Sequence, residues 1–476
     1  MPDSLLCSVE LPCFDPQTRE LTLASHHLLS APLSLANSLP SAYRPILHHA
    51  PAEPYQQHSQ EVMLTSQSRR KRRKLAVPNE SSSPAEFAVH RKKQEQRTTT
   101  DRETDEHHSS ISLALEEAVG AVREAWTVKE GKGWTGEVDD LVQWRGTDES
   151  SGEGLDLVGL AQRHPLPPYP LEALRLSDPL AKIPLDQLFN RIVLNSSTSE
   201  STVAELEDLS TNAGEPTTFA SLLLPPSSAF LLSDFFSWSS PSSGIASLRR
   251  LRGGWDVLIA DPPWPNASAT RSSSYDTFDA YDLWKLDLPA LLGDKPTLVV
   301  FWLTNRVKFR RLLIDKLFPS WNVKNAVEWY WVKIAEDGEP VVPLEAKHRR
   351  CYESLVLGYY VPLKTKVDLP SLPQNKVFLS TPIGHSRKPV IIDLLRPYLL
   401  DPSRPPNVLE LFARTTLAGV SLDPSSSSSP GSGSVQQEKR RGLYFAVGNE
   451  AVRFNVLDET EKRRRGWLRG GEIKKG

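Results

Sequence analysis

The sequence predicts an α/β protein whose core is a doubly wound, mainly parallel sheet. Short apolar runs typical of strands alternate with helical patterns through the second half of the chain. The run Val257 to Ala260 is apolar at every position, as expected of a strand that is covered on both faces. Two later runs, Val323 to Ile334 and Ser354 to Tyr360, follow each other without a helix between them. They predict an antiparallel pair at the edge of the sheet.

Length and composition indicate segments of different character. The chain has 476 residues, more than one core usually holds, and its 39 prolines indicate long irregular stretches. Cys7, Cys13 and Cys351 lack the spacing of a disulfide framework or a zinc site, so we expect a reducing compartment and no metal. The sequence shows no leader and no apolar run long enough to cross a bilayer, which predicts a soluble intracellular protein.

Two predicted segments precede the ordered part of the chain. Residues 1–38 form a small segment of unknown role, and residues 39–110 are polar, basic and predicted to be disordered. The basic run Arg69 to Lys74 in this linker is typical of a nuclear-import signal or of an arm that binds nucleic acid. A solvated charged tract is the alternative. The expected location is the nucleus, with the cytoplasm as a second site.

Residues 111–221 are predicted to be a helical accessory region. Apolar residues recur at helical spacing from Ile111 to Trp126, and Ser109 or Ser110 can cap that helix. Further short helices are expected at Leu141 to Trp144, Leu171 to Leu176 and Leu185 to Val193.

The main domain is predicted to span residues 222–459. Its predicted strands are Trp255 to Ala260, Thr297 to Leu303, Val323 to Ile334, Ser354 to Tyr360, Val377 to Ser380, Val408 to Phe412 and Leu443 to Val447. Its helices are expected to begin near Asn305, Pro389 and Asn449. Residues 423–440 form a flexible Ser-rich insertion in a surface loop, and residues 460–476 form a basic tail.

The four residues Asp261-Pro262-Pro263-Trp264, directly after a buried strand, carry the main functional signal. Ligands bind at the carboxyl ends of the strands in open α/β sheets. Because proline has no N–H, the Asp261 carboxylate and the Pro262 carbonyl form a corner of acceptors suited to the two N–H donors of an exocyclic amino group. Trp264 is expected to offer a flat face to the ring that bears the amine. The alternative is a stiffened strand end with Asp261 as a cap and Trp264 in the core.

This tetrapeptide and its neighbours resemble the adenine N(6)-methyltransferases of the MT-A70 family, in the methyltransferase-like branch that acts on small nuclear RNA or DNA. The resemblance covers about Phe230 to Val456. It implies a Rossmann-like, S-adenosylmethionine-dependent methyltransferase fold with permuted motif order, since the amino-group motif precedes the cofactor strand Asn407 to Arg414. That strand lacks the Gly-rich loop of dinucleotide-binding proteins, which argues against a nicotinamide enzyme.

The resemblance implies roles for individual residues. The expected catalytic residues are Asp261, Pro262, Pro263 and Trp264. The expected substrate-binding residues are Tyr275, Trp302, Asn305, Tyr352 and Glu353. The expected contacts of S-adenosylmethionine are Asp261, Lys388, Glu410, Arg414, Asn449 and Glu450. Lys388 would hold the carboxylate at the head of a helix that starts at Pro389. Relatives have an Asn-rich turn where this chain has Thr415 and Thr416, so no role is carried over to those two residues.

Basic clusters near the site favour a polynucleotide substrate. They are Arg249 to Arg252, Lys308 to Arg311 and Lys347 to Arg350, and each can also be an ordinary solvated face. The target adenine is expected to be single-stranded or flipped out, clamped by Tyr275 and Trp264. RNA is the leading substrate, in particular a 2′-O-methyladenosine of small nuclear RNA, and DNA is the close alternative. A catalytically silent RNA-binding subunit and a methyltransferase for a protein amide are further alternatives.

Overall fold

The computed structural model describes a defined part of the chain. The described residues are 102–121, 157–163, 172–208, 217–235, 245, 249, 252–265, 279–334, 339–346, 350–380, 388–420 and 441–457, together with the backbone of 8–15 and 20–27. The basic run Arg69 to Lys74, Tyr275, the insertion 423–440 and the tail 460–476 lie outside them. No helix among these described residues is long and apolar enough to span a membrane.

The described residues contain sixteen strands, which form two sheets. The strands are β1 (Ser8–Asp15), β2 (Glu20–His27), β3 (Leu174–Leu176), β4 (Leu180–Pro184), β5 (Ile192–Asn195), β6 (Thr202–Asp208), β7 (Thr217–Leu224), β8 (Ser228–Leu232), β9 (Val257–Ala260), β10 (Thr297–Leu303), β11 (Val323–Lys333), β12 (Tyr352–Tyr360), β13 (Val377–Ser380), β14 (Val408–Leu411), β15 (Tyr444–Gly448) and β16 (Val456–Leu457).

The helices among the described residues are mostly short. They are α1 (102–121), α2 (Leu157–Arg163), α3 (Leu288–Leu292), α4 (Val307–Arg311) and α5 (Ile392–Leu395). Single 3₁₀ turns occur at Leu185–Gln187, Ala280–Lys285, Arg396–Tyr398 and Arg453–Asn455. Helix α4 continues through a π-helical stretch, Leu312–Leu317, and a final turn, Phe318–Ser320.

The large sheet has twelve strands in the order β2-β1-β13-β11-β12-β10-β9-β14-β15-β8-β5-β3. Its centre, from β10 to β8, is parallel throughout, and β9 lies between β10 and β14. Ala260 is in register with both Phe301 and Leu411, so three central strands end at one level. This arrangement confirms the predicted mainly parallel α/β sheet, and the strands of the cofactor and amino-group motifs are neighbours despite their order in the chain.

Both faces of the central strands are covered by apolar side chains. In β9, Leu258 and Ala260 belong to one core cluster, which contains the residues of α3 and α4, while Val257 and Ile259 belong to a second cluster, which contains the residues of α5. We call the side of the second cluster the α5 face. The uniformly apolar sequence of β9 follows from this double burial, because successive side chains of a strand point to opposite faces.

The predicted antiparallel pair is present, but it is not at the edge of the sheet. Strand β12 runs antiparallel to both β10 and β11, and β13, β1 and β2 extend the sheet beyond β11. The register of β11 shifts between Lys324 and Val327, opposite Gly358. A Cβ atom at Gly358 would lie 2.8 Å from Val323 Cγ1 and 2.9 Å from the Lys324 carbonyl oxygen, so the irregular strand needs glycine there.

The prediction of a helical accessory region is wrong for residues 174–208. Strand β3 forms the second half of the segment Leu171 to Leu176, and the segment Leu185 to Val193 holds a 3₁₀ turn and the start of β5. Both strands belong to the large sheet, in which β5 pairs with β3 and β8. A second, four-stranded sheet has the order β16-β7-β6-β4. Short apolar runs do not distinguish a buried strand from a helix, and here the pairing with β8 decides. The large sheet therefore crosses the predicted boundary at residue 222.

Helix α1 is already helical at residue 102, nine residues before the predicted start. Ser109 and Ser110 are inside the helix and donate to the carbonyls of Asp105 and His107, so neither caps it. The predicted apolar spacing is confirmed from Ile111 to Val119, where both residues are buried against β11 to β13. Val122 and Trp126 lie outside the described residues.

Candidate active site

Asp261 stands at the carboxyl end of β9, where the predicted corner is expected. Its backbone N–H donates to the carbonyl of Leu411 at 3.3 Å, which ties the end of β9 to the end of β14. The Pro262 carbonyl accepts the backbone N–H of Trp264 at 2.7 Å. The turn therefore does contain a competing amide donor, and only one lone pair of the Pro262 oxygen remains for a ligand.

The indole of Trp264 lies in the core, which corrects the prediction that it stacks on the substrate. The residue is 5% exposed, its ring centroid is 5.1 Å from that of Phe309, and its Nε1 donates to the carbonyl of Trp302 at 2.8 Å. The two prolines direct the chain back onto α4, so the ring is buried rather than presented to the cleft. Trp264 thus braces the end of β9 against the end of β10.

Asp261 belongs to a chain of four alternating charges. Lys388 Nζ lies 3.0 Å from Asp261 Oδ2 and 3.1 Å from Glu353 Oε2, and Lys333 Nζ lies 2.5 Å from Glu353 Oε1. Burial raises the pKa of Glu353, but the positive charges of Lys388 and Lys333 have a larger effect and lower this pKa to about 2. Burial lowers the pKa of Lys388, but Asp261 and Glu353 raise it well above its usual value. Glu353 and Lys388 are therefore charged at neutral pH.

Sheet geometry explains why these residues meet. Glu353 and Leu355 share one side of β12, as Lys333 and Trp331 share one side of β11, and Leu355 and Trp331 both belong to the cluster of the α5 face. Asp261 follows Ile259 on the same face. Three strands thus direct one charged residue each to the same face and edge. Lys333 was not predicted, because a lysine at a strand end is common and only this register gives it a partner.

The predicted pair Tyr352 and Glu353 does not line one pocket. Tyr352 is 2% exposed and points to the opposite face, where its ring stacks on His108 of α1 at 5.8 Å and its hydroxyl lies 3.2 Å from His108 Nδ1. Adjacent strand residues must face opposite sides, so Tyr352 is covered by α1. Its carbonyl accepts from Asn305 Nδ2 at 2.9 Å, while Asn305 Oδ1 is buried without a hydrogen-bond partner. Asn305 thus retains one acceptor.

A cleft of ≈ 610 Å³, measured up to its open mouth, lies on the α5 face. Its lining combines apolar side chains with polar groups, and it includes Ile259, Asp261, Trp302, Lys388, Ile391, Glu410, Arg414, Leu417, Tyr444 and Phe454. Trp302 is 2% exposed, and the Lys388 ammonium lies 5.5 Å from its ring centroid.

Two further carboxylates belong to the cofactor-binding prediction. Glu410 in the cleft accepts a hydrogen bond from the Tyr444 hydroxyl at 2.5 Å. Burial, with a smaller contribution from the charge of Asp261, raises the pKa of Glu410 to about 7, although Tyr444 opposes the shift. Glu450, after β15, pairs with Arg414 at 3.2 Å and with Arg453 at 2.6 Å, and Asn449 beside it is exposed. Tyr444 was not predicted from the sequence.

The helix starts predicted at Pro389 and Asn449 are wrong. Residues 388–391 are irregular and α5 starts at Ile392, while a turn and then a 3₁₀ turn follow Asn449. Lys388 therefore has no helix start at Pro389 to assist it. Its ammonium has three N–H donors, of which Asp261 and Glu353 take two, so one remains for an anion.

Residues 255–422 match the family model MT-A70. The matched part covers about a third of the chain. It includes Asp261, Glu353, Lys388 and Glu410, and it agrees with the resemblance seen in the motifs. S-adenosylmethionine is the cofactor expected of this family, and the cleft fits it in kind: one free N–H of Lys388 for a carboxylate, Arg414 with its partner Glu450 for hydroxyls, and apolar walls.

Three relatives of this chain carry different substrate descriptions. The chain is 34% identical over 243 residues to "N(6)-adenine-specific methyltransferase METTL4" of Mus musculus, covering 50% of this chain and 44% of the relative. It is 36% identical to "N6-methyladenosine RNA methyltransferase MTA1" of Pyricularia oryzae, over 35% of this chain and 45% of the relative. It is 37% identical to "DNA N6-methyl methyltransferase" of Caenorhabditis elegans, over 34% of this chain and 43% of the relative. The match thus spans less than half the length of each relative.

Proposed function

We propose that this protein transfers a methyl group from S-adenosylmethionine to the N(6) amine of adenine in RNA. The observation that carries the proposal is Asp261, held at the sheet edge with Oδ2 on Lys388 and beside a cleft that suits the cofactor. The expected 2′-O-methyladenosine of a small nuclear RNA remains the preferred form of the substrate. The names of the relatives support adenine N(6) chemistry and leave RNA and DNA open.

The chain's own groups act by positioning. The cofactor, when bound, supplies an electrophilic methyl group. Asp261 Oδ1 and the second lone pair of the Pro262 oxygen accept the two N–H groups of the adenine amine and so orient its lone pair. Lys388 holds Asp261 in that orientation, and the fixed charges of the site stabilise charge that develops on the amine. Asn305 Oδ1 is a further acceptor for the base.

Exposed groups near α4 support a polynucleotide substrate. Arg306 and Lys308 are exposed, and the Lys308 ammonium lies 4.6 Å from the ring centroid of Phe309, which in turn packs on Trp264. Tyr281 and Trp284 are 66% and 47% exposed and stand three residues apart on a 3₁₀ turn, hence on one side of it. Aromatic faces and cations together suit single-stranded nucleic acid.

Most described members of the three predicted basic clusters have other contacts. Arg310 pairs with Glu328, Arg311 with Glu103 and Arg350 with Asp105. Arg249 donates to the Ala290 carbonyl at 2.6 Å. These arginines stabilise the fold, which reduces the predicted phosphate-binding surface to a few residues around Lys308.

The test is transfer of tritium from labelled S-adenosylmethionine to matched RNA and DNA oligonucleotides, with and without 2′-O-methyladenosine. Asp261→Asn should lower transfer by about 100-fold or more, because an amide presents a donor to the amine, and should leave cofactor binding partly intact. Asp315→Asn, at an exposed position of the π-helical stretch, is the matched control and should be unaffected.

Each outcome of this assay selects one function. Transfer to RNA that is lost in Asp261→Asn supports the proposal, whereas transfer to DNA alone supports the second candidate, which the relative from Caenorhabditis elegans favours by its name. Cofactor binding without transfer to either would favour a silent subunit. We also infer a nuclear location from Arg69 to Lys74, which microscopy of a fluorescent fusion with this run replaced by alanine would test.

A further inference from the structure

Glu410 differs in its partners from the other carboxylates in and around the cleft. Asp261 and Glu353 share Lys388, and Glu450 has Arg414 and Arg453. Glu410 receives a hydrogen bond from the Tyr444 hydroxyl, and no ion pair to it occurs within the described part of the chain. It is therefore a carboxylate beside a ligand cleft without a protein cation to balance it.

The position of Glu410 is fixed by the sheet. It is in register with Ile259 on the neighbouring parallel strand, and it shares the α5 face with Ile259 and Asp261. The charged groups that line the same cleft are Asp261, Lys388 and Arg414. Lys388 is committed to Asp261 and Glu353, and Arg414 to Glu450, so neither cation neutralises Glu410.

We propose that Glu410 is the counter-ion for a positive charge of the bound donor, namely its methyl-bearing sulfonium, and that it makes the cleft select the charged donor over the neutral product. This inference rests on the proposed function. Donor and product differ by one methyl group and one positive charge. A carboxylate without a protein cation attracts that charge strongly in a partly dehydrated cleft, and it gains nothing from a neutral sulfide.

The pH dependence of binding follows from the same arrangement. Without ligand, burial raises the pKa of Glu410 to about 7, so the group is partly protonated at neutral pH. A cation beside it lowers this pKa, and binding then releases a proton. Affinity for the donor should therefore rise as pH increases through about 7 and level off above it, because the ionised form binds more tightly.

The experiment measures calorimetric binding of S-adenosylmethionine, S-adenosylhomocysteine and 5′-methylthioadenosine to the full chain and to Glu410→Gln. Glutamine keeps the acceptor for Tyr444 and removes the charge. The variant should lose about tenfold or more of the preference for donor over product, and titrations in buffers of different ionisation enthalpy should show loss of the proton release.

Tyr444→Phe is the second variant, because it keeps the charge of Glu410 and removes the hydrogen bond that stabilises it. Its pH midpoint for donor binding should move upward, and this result remains measurable if Glu410→Gln fails to fold. An unchanged donor-to-product ratio in Glu410→Gln would overturn the proposal. Equal loss of donor and product, with methylthioadenosine unaffected, would assign the charge to the amino-acid ammonium instead and also overturn it. Failure of the wild type to bind all three would count against the proposed function itself.

Discussion

Lys388 shows how one residue organises the candidate site. Its ammonium links Asp261 to Glu353, and Glu353 in turn holds Lys333. The side chains of these four residues are between 18% and 29% exposed, so solvent screens their attraction less than it does on an open surface. The network fixes the orientation of the Asp261 carboxylate before any substrate arrives, which is the condition for efficient transfer.

The substitution Glu353→Gln tests this network. It removes the carboxylate partner of Lys333 and leaves Lys388 with Asp261 alone, so the orientation of Lys388 and Asp261 is less firmly fixed. We expect a loss of about 2 kcal/mol in the free energy of unfolding, measured with urea. In the methyl-transfer assay, kcat should fall by a larger factor than KM rises.

Glu345→Gln is the control for Glu353→Gln, since Glu345 is exposed on the segment that leads toward β12. It should change neither property. Full activity and stability of Glu353→Gln would show that Lys388 holds Asp261 without help from Glu353.

At the scale of elements, helix α1 explains why a predicted nucleic-acid surface is not available. Its acidic residues Glu103 and Asp105 pair with Arg311 and Arg350. Beneath it, Glu328 of β11 is 2% exposed and bonds to Arg310 at 2.6 Å, with His107 Nε2 at 3.5 Å. Burial raises the pKa of Glu328, but His107 and Arg310 together lower this pKa by more than burial raises it. The carboxylate therefore stays charged under the helix. The helix is thus docked through charge as well as through Ile111 and its apolar neighbours.

Removing Arg310 should destabilise the fold beneath α1, where Arg310 of α4 pairs with Glu328 of β11. Arg310→Met leaves the Glu328 charge buried without its main partner, and we expect a loss of about 3 kcal/mol in the free energy of unfolding. The double substitution Arg310→Met with Glu328→Gln should recover part of that loss, because no buried charge then remains. Urea denaturation measures both.

Arg311→Met is the matched control for the same helix, because its pair with Glu103 is exposed and worth less than about 1 kcal/mol. Equal losses for the two arginines would contradict the argument from burial.

At the scale of the whole molecule, the sheet is the device that assembles the site. Strands β9, β11, β12 and β14 contribute Asp261, Lys333, Glu353 and Glu410, which are far apart in the sequence and share one face. The pKa shifts of Glu353 and Glu410 make stability change with pH in opposite directions. Glu353, with a lowered pKa, stabilises the fold above about pH 4.5, and that contribution is lost as pH falls toward about 2.

The raised pKa of Glu410 changes stability with pH in the opposite direction. Its pKa is near about 7 in the fold and about 4.5 when unfolded, so the folded state binds more protons between these values and stability falls as pH rises through them. Ligand-free protein should lose on the order of 2 kcal/mol between about pH 5 and pH 8 from this group, screened in part by the open cleft. Chemical denaturation at the two pH values should show this loss in the wild type and a smaller one in Glu410→Gln. An equal loss in both would remove the assignment to Glu410.

The sequence by itself determined the mainly parallel core, the end of β9 at Asp261 and the family motifs. Uniform apolar runs and proline turns are local signals, because consecutive residues carry them. They indicate a strand buried on both faces and a turn with a fixed φ angle. Tertiary structure alone decided which side chains meet. The motifs predicted that Trp264 and Tyr352 contact the substrate. In the structure Trp264 packs against Phe309 and Tyr352 against His108, and both are buried. Lys333 became part of the site, and Arg310 and Arg311 left the predicted surface, because register and the docking of α1 bring distant charges together.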